Sequence, residues 1–346
     1  MGTARGWRER AVRCLRARVM VPLPLLAGCT PCRVPRRGAL YRIVALCLTA
    51  CIASVGCTAE TSSPTQAPST APAPTGSTAL GHLLILRYPS SGLGEYFIAN
   101  IDGSNERAFL PGEDFEARQL SPDSARVAIV GPNEDGILTG ASVDLDGRNR
   151  TDLVNDDPSL NLACGVWAPN ERLACEGFDE STPSRSGIYT VSAEDGGDLQ
   201  RLTHERDVPC DYSPDGSRLA FIRTGSDEGV GTLMVMDADG GKPESLDSEV
   251  FLSGIACDWS PDGRSILVGS PDGEILLVSP DGGSPTLPGL DGFASGPTWS
   301  LDGELIMFSM TLEGEQFDVY TVATDGTELT RITDSDLLEE AVVWLP

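Results

Sequence analysis

The sequence predicts an all-β protein: a six-bladed β-propeller of four-stranded blades, closed by a C-terminal strand that pairs into the first blade. Three observations lead there. An aromatic-plus-turn signature recurs as "QLSPDSARVAIV" at 119, "VWAPNERLACEG" at 166, "DYSPDGSRLAFI" at 211, "DWSPDGRSILVG" at 258 and "TWSLDGELIMFS" at 298, with a truncated "VVWLP" at the end. Its anchors Leu120, Trp167, Tyr212, Trp259, Trp299 and Trp344 are 47, 45, 47, 40 and 45 residues apart, the length of one propeller blade. Asp-Gly at 102, 146, 195, 239, 281 and 325 keeps the same period independently, and residues 83–346 hold six periods of 44.

Each unit reads as four short strands. In the unit after Ile255, "IACDWS" is strand A, "SILVG" strand B, "EILLVS" strand C and "PTLP" a short strand D. The turns between them have a mechanism: Pro presets φ, Asp hydrogen-bonds locally, and Gly accepts the left-handed conformation that closes a hairpin. Five-residue strands at this spacing, with 38 Gly and 25 Pro in 346 residues, suit an all-β chain. The phase matters as well. "HLLILRY" at 82 matches strand B with no strand A before it, while "AVVWLP" supplies a lone strand A at the end. The two ends therefore meet in one blade, which leaves no long exposed sheet edge.

The N-terminal segment reads as targeting sequence. Residues 1–56 form a signal-peptide region: Arg-rich up to Arg42, then "IVALCLTACIASVGC", too short to span a bilayer and of signal-peptide length. "SVGC" resembles the bacterial lipobox, which implies that the Cys57 thiol takes a palmitate-type lipid and becomes the mature N-terminus. "LLAGC", ending at Cys29, fits that pattern too, and a start near Val34 would remove residues 1–33 from the natural chain. Residues 57–82 are then the lipidated cysteine and a Ser/Thr/Pro/Ala tether that cannot form a core, reaching roughly 25–30 Å. The expected location is the cell membrane, lipid-anchored, on the extracytoplasmic side.

The recurring "WSPDG..LAF...G...IYVM..DG....LT" pattern is similar to the WD40-like repeats of the TolB propeller and to the related propellers of prolyl oligopeptidases. Residues 211–246 match it best, and weaker copies extend over 83–346. The blades lack the Trp-Asp dipeptide of ordinary WD40 repeats. The resemblance implies a secreted propeller used for binding; TolB itself carries an α/β domain before its propeller, and the peptidases a hydrolase domain.

Chemistry is sparsely supplied. The sequence holds two histidines, His82 and His204, and no G-x-S-x-G, P-loop or H-E-x-x-H motif. No catalytic residue, metal ligand or cofactor is nominated. "DLDG" at 144 and "DADG" at 237 look like calcium loops, yet both fall at the C-to-D turn of a blade and lack the full ligand spacing. Calcium in the channel or between acidic loops stays open. Cys164 and Cys175 flank the Pro169-Asn170 turn symmetrically, which makes them a disulfide candidate across strands A and B. Cys210 and Cys257, each two residues before an anchor, are expected as small apolar packing.

Charge then points to a face. Beyond residue 57 the chain carries 15 basic and 50 acidic groups, a balance that repels nucleic acid and anionic lipid and attracts cationic partners. In a four-strand meander the A–B and C–D turns share one face, while the B–C and D–A loops share the other. The second set varies in length and is acidic, with interaction candidates Glu113, Asp114, Asp156, Asp157, Asp179, Glu180, Glu205, Asp207, Asp227 and Glu228. Variable loops on a rigid scaffold are where recognition resides. The expectation is a monomeric, non-enzymatic scaffold that binds a protein, peptide or envelope component there. A hydrolase or lyase acting on sugar or peptide in the channel, and a solute-sensing envelope module, are the alternatives.

Overall fold

A computed structural model describes residues 81–346, apart from 90–92, 156, 158, 169, 180, 226–228, 253–256 and 313–315. Six antiparallel sheets follow one another around a ring. Blade 1 holds β1 (His82–Tyr88), β2 (Glu95–Asn100) and β3 (Arg107–Phe109), and blade 2 holds β4 (Glu116–Leu120), β5 (Arg126–Pro132), β6 (Leu138–Asp144) and β7 (Thr151–Asp152). Blade 3 is β8 (Asn161–Ala168), β9 (Arg172–Phe178), β10 (Gly187–Ser192) and β11 (Gln200–Arg201). Blade 4 is β12 (Asp207–Tyr212), β13 (Arg218–Thr224), β14 (Val230–Asp237) and β15 (Glu244–Phe251). Blade 5 has three strands, β16 (Cys257–Trp259), β17 (Ile266–Gly269) and β18 (Ile275–Val278), and the expected strand D survives as a single bridge, Leu276 to Thr286. Blade 6 is β19 (Phe293–Trp299), β20 (Leu305–Thr311), β21 (Asp318–Ala323) and β22 (Thr330–Arg331). The last strand, β23 (Leu338–Leu345), then pairs antiparallel with β1 and supplies the inner strand of blade 1, Leu83 opposite Trp344 and Arg87 opposite Glu339. The closure expected from the out-of-phase ends is the closure observed.

The core lies between blades, not within any one of them. Along β13 the side chains alternate: Leu219 and Phe221 pack with Val166, Ala174 and Ile188 of blade 3, while Ala220 and Ile222 pack with Trp259, Ile266 and Val268 of blade 5. All four β13 residues are fully buried. A sheet covered on both sides needs apolar residues at every position, which is why strand B reads "LAFI" or "VAIV" and not as an alternating pattern. The anchors Trp259, Trp299 and Trp344 sit in these inter-blade clusters, worth about 2–3 kcal/mol per large side chain removed from water.

Inner strands are irregular in five blades among the described residues. The register slips between Ala117 and Leu120, Cys164 and Val166, Pro209 and Asp211, and Ser295 and Thr298, and β23 slips against β1 at Leu84/Ile85. An extra residue in one strand turns side chains away from the ladder. In blades 2 and 4 it re-aims Gln119 and Asp211, the residues ahead of the anchors Leu120 and Tyr212, toward the neighbouring blade.

Candidate interaction face

The A–B turns show why Ser-Pro-Asp-Gly recurs. In blades 2, 4, 5 and 6 the serine hydroxyl donates to the aspartate two residues on, as in Ser213 to Asp215 at 2.7 Å and Ser300 to Asp302 at 2.6 Å. The same oxygen accepts the amide that begins the next strand, Arg218 N at 3.0 Å and Leu305 N at 2.9 Å. These donors hold the Asp215 carboxyl down to about 2. At the C–D turns the carboxylates are occupied likewise: Asp146 accepts the Arg148 amide at 3.0 Å and Asp239 the Gly241 amide at 3.1 Å. The two calcium-like stretches are hairpin turns whose aspartates hold their own backbone.

On the opposite face the acidic loops are laced with arginine. Glu113 pairs with Arg150 at 2.8 Å, and Arg185 holds Asp179 at 2.9 Å and also Asp157, joining the D–A loop of blade 2 to the B–C loop of blade 3. Glu205 lies 3.5 Å from Arg223 and keeps 64% of its side chain exposed. Asp114 lies in the D–A loop of blade 1 and is exposed. Asp207 is a correction: it does not belong to the rim but opens β12, is 1% exposed, and its two oxygens accept Nε and Nη2 of Arg223 at 2.9 and 3.0 Å. Strand pairing sets Asp207 directly opposite Arg223, and the bidentate bond satisfies both oxygens of the buried side chain. Asp156, Glu180, Asp227 and Glu228 lie outside the described residues.

The rim dips at blade 5. Its B–C loop is the third Ser-Pro-Asp-Gly copy, Ser270–Gly273, closed by the Gly273 amide on the Ser270 carbonyl at 3.0 Å. Gly273 has φ +78°, and a Cβ there would stand 2.4 Å from the Phe293 ring. Glycine is required twice over, by backbone conformation and by the aromatic side chain laid against it. Phe293 in turn meets Phe251 and Phe317 edge-on, with centroids 6.1 and 6.3 Å away.

The inner strands are joined by polar side chains from three blades, which the sequence did not announce. Gln119 reaches from blade 2 past blade 3 and donates Nε2 to Asp211 Oδ1 in blade 4 at 2.8 Å and to the Cys210 carbonyl at 3.2 Å. Its Oε1 accepts the Trp167 amide at 3.1 Å. Asp211 Oδ2 accepts the Trp259 amide at 2.7 Å; Asp258 Oδ2 accepts the Trp299 amide at 2.6 Å and the Thr298 hydroxyl at 2.7 Å. In each case the residue ahead of one anchor holds the backbone of the next blade's anchor. Burial, and after it the charge of Asp258, raises the Asp211 carboxyl above the ordinary carboxylate range, and burial raises that of Asp258. Beside them Cys210 and Cys257 form a disulfide between blades 4 and 5 with Cα atoms 5.4 Å apart, which replaces the expected apolar packing. Cys164 and Cys175, directly opposite in register, are also bonded, with Cα atoms 3.9 Å apart. One signal for the axial pair was present: "CD" precedes the anchor aromatic at 210 and again at 257.

Near the blade 1 closure, Glu340 lies by the Tyr88 hydroxyl at 3.4 Å, and burial pushes its carboxyl up to about 7. Asp318, 1% exposed, is pushed up to about 6 by burial in spite of its Arg331 partner at 2.7 Å.

No protein-family model matches the chain. It is 39% identical over 176 residues to the Tol-Pal system protein TolB of Anaeromyxobacter dehalogenans (strain 2CP-C), covering 48% of this chain and 39% of that protein. It is 33% identical over 176 residues to TolB of Anaeromyxobacter sp. (strain K), at the same coverage. The chain thus spans about two fifths of the length of these relatives. Among solved structures, TolB from Acinetobacter baumannii superimposes with a TM-score of 0.56 at 19% identity, covering 77% of this chain and 64% of that one. A TolB-assigned protein from Agrobacterium tumefaciens gives 0.57 at 19% identity, covering 76% and 91%. The described residues form a TolB-like six-bladed propeller.

Proposed function

Starting from that TolB-like propeller, we propose that the protein is a non-enzymatic, membrane-anchored scaffold of the cell envelope that captures a protein or peptide partner on its B–C/D–A loop face. The observation that carries this reading is the charge of that face. Glu113 and Glu205 keep 43% and 64% of their side chains exposed beside Arg150 and Arg223, so the face presents carboxylates within reach of a partner's Lys and Arg side chains. The TolB relatives are Tol-Pal system proteins by name, which supports a protein partner in the envelope. Lipidation at Cys57 would hold the propeller at the membrane on the tether of residues 58–82.

Affinity capture from envelope extracts with residues 58–346 tests the reading. Capture is expected to fall about tenfold between low and high salt, and by a similar factor in a Glu113→Gln, Asp157→Asn, Glu205→Gln variant. Undiminished capture by that variant would overturn the acidic face, and palmitate entering a Cys57→Ser protein would overturn the anchor.

A further inference from the structure

We propose that the groove between the outer strand of blade 4 and the C–D turn of blade 5 binds a small cationic zwitterion, a free basic amino acid, with Arg218 taking its carboxylate. The site lies on the A–B/C–D face and stands independently of the docking reading. Three successive blades open strand B with an arginine, and two of them consume it. In blade 2, Arg126 Nη2 donates to the Ser142 and Asn149 carbonyls at 2.9 and 2.6 Å and to the Thr151 hydroxyl at 3.0 Å. In blade 3, Arg172 donates to the Thr190 hydroxyl at 2.9 Å and to the Asp198 carbonyl and Oδ2, both at 2.6 Å. Blade 4 changes the acceptors. Val235 stands opposite Ala220 as Thr190 stands opposite Ala174, and it offers no hydroxyl. The left-handed turn position held by Asn149 and Asp198, φ +51° and +52°, is taken by Lys242, φ +48°, the one lysine in the chain. Lys242 pairs with Asp237 at 3.1 Å, and its charge disfavours a second cation at that turn. The Arg218 guanidinium has no hydrogen bond or ion pair among the described residues and stands over the Trp259 ring, 6.0 Å from its centroid.

The groove that Arg218 lines opens beside blade 5, which has no regular strand D. One wall is the start of β15 and the other is Pro280–Ser284, tied together where the Ser248 and Ser284 hydroxyls meet at 2.9 Å. Its volume is about 570 Å³, within the range of small-molecule sites. A Cβ at Gly282 or Gly283 would meet nothing within 4 Å, so the entrance is open. Glu244, Asp247 and Asp281 also line it, all three exposed and without an ion pair among the described residues. This lining selects for charge. One guanidinium offers its planar fork to one carboxylate, and three carboxylates around it call for more positive than negative charge on the ligand. A simple anion would meet three like charges, and a diamine would meet Arg218. A basic amino acid, with one carboxylate and two cationic groups, satisfies both signs.

Equilibrium dialysis of radiolabelled L-lysine against the full chain tests the site. Saturable binding is expected, and norleucine, which lacks the side-chain ammonium, and lysine amide, which lacks the carboxylate, should compete at least about tenfold more weakly than lysine. Arg218→Gln should lower lysine affinity about tenfold or more. Arg264→Gln, on the A–B turn of blade 5 with 86% of its side chain exposed, should leave it within about twofold. Lys242→Asp keeps Arg218 in the chain but supplies the acceptor that Asp198 gives Arg172, and it should lower affinity about fivefold. General attraction of a cation to a more acidic face predicts the opposite sign for that variant. No saturable binding up to about 10 mM lysine, equal competition by norleucine or lysine amide, undiminished binding by Arg218→Gln, or binding by Lys242→Asp as tight as the wild type's overturns the proposal. Should Arg218→Gln not fold, the two competitors and Lys242→Asp decide.

Discussion

Glu339 and Arg87 face each other across the seam where the two ends of the propeller meet, with Oε1 and Nε 2.5 Å apart and Glu339 without exposed surface. Arg87 lies over the Phe97 ring and also holds Glu106 at 2.8 Å. Removing one partner of such a pair strands the other in a low-dielectric site. Glu339→Ala is expected to cost about 3 kcal/mol, measured as a lowered urea midpoint, whereas Glu106→Ala, on the half-exposed side of the same arginine, should cost under about 1 kcal/mol. Equal losses would mean that closure does not rest on the buried half of the network.

The two disulfides differ in the chain they close. Cys164–Cys175 spans 11 residues within one blade, and Cys210–Cys257 spans 47 across two. Loop entropy makes the longer closure worth about 1 kcal/mol more. A Cys210→Ala/Cys257→Ala double variant should therefore unfold at lower denaturant than Cys164→Ala/Cys175→Ala. Peptide mapping without reductant should recover 164–175 and 210–257 and no other pairing among these four.

Stability should decline from mildly acidic to mildly basic pH. Glu340 and Asp318 titrate in the folded protein at about 7 and about 6, both raised. A raised carboxyl contributes stability that is complete below its unfolded value and is lost as pH rises through its folded one. Glu340→Gln keeps the contact with Tyr88 without the titration. Melting temperature from pH 5 to 8 should be flatter in that variant by the equivalent of about 2 kcal/mol. Parallel curves would refute the role given to Glu340.

Gly273 and Gly112 separate two costs of left-handed backbone. At Gly112, φ +80°, an added methyl meets nothing within 4 Å, and Gly112→Ala should cost the conformational strain alone, roughly 1–2 kcal/mol. At Gly273, where the ring of Phe293 is 2.4 Å from that position, overpacking adds a further ~1–3 kcal/mol. Chemical denaturation of both variants checks the ordering, and a Phe293→Leu background should narrow the gap.

Blade count, closure and turn chemistry were legible because each repeats: a period of about 44 residues survives the variation of any one blade. The Cys164–Cys175 pairing was legible because a two-strand hairpin is local, and symmetry about a turn sets which residues oppose. Asp207 was misplaced for the opposite reason. "HERD" reads as one acidic loop, and only the start of β12, set by pairing with β13, draws the fourth residue inside against Arg223. The loss of a regular strand D in blade 5 likewise depends on how far a Gly- and Pro-rich segment can pair, which its neighbours decide.

The sequence by itself determined the architecture, because apolar strands separated by turns of fixed chemistry have one economical way to bury both faces of every sheet. The excess of 50 acidic over 15 basic residues beyond residue 57 is likewise read from composition alone. Only the tertiary structure decided that Gln119 bonds Asp211 and that Cys210 bonds Cys257, since these contacts join residues 92 and 47 positions apart in chain order. No local pattern encodes them. They follow from the ring, which sets the inner strands of successive blades side by side, and from the bulges in β4 and β12 beside Gln119 and Asp211.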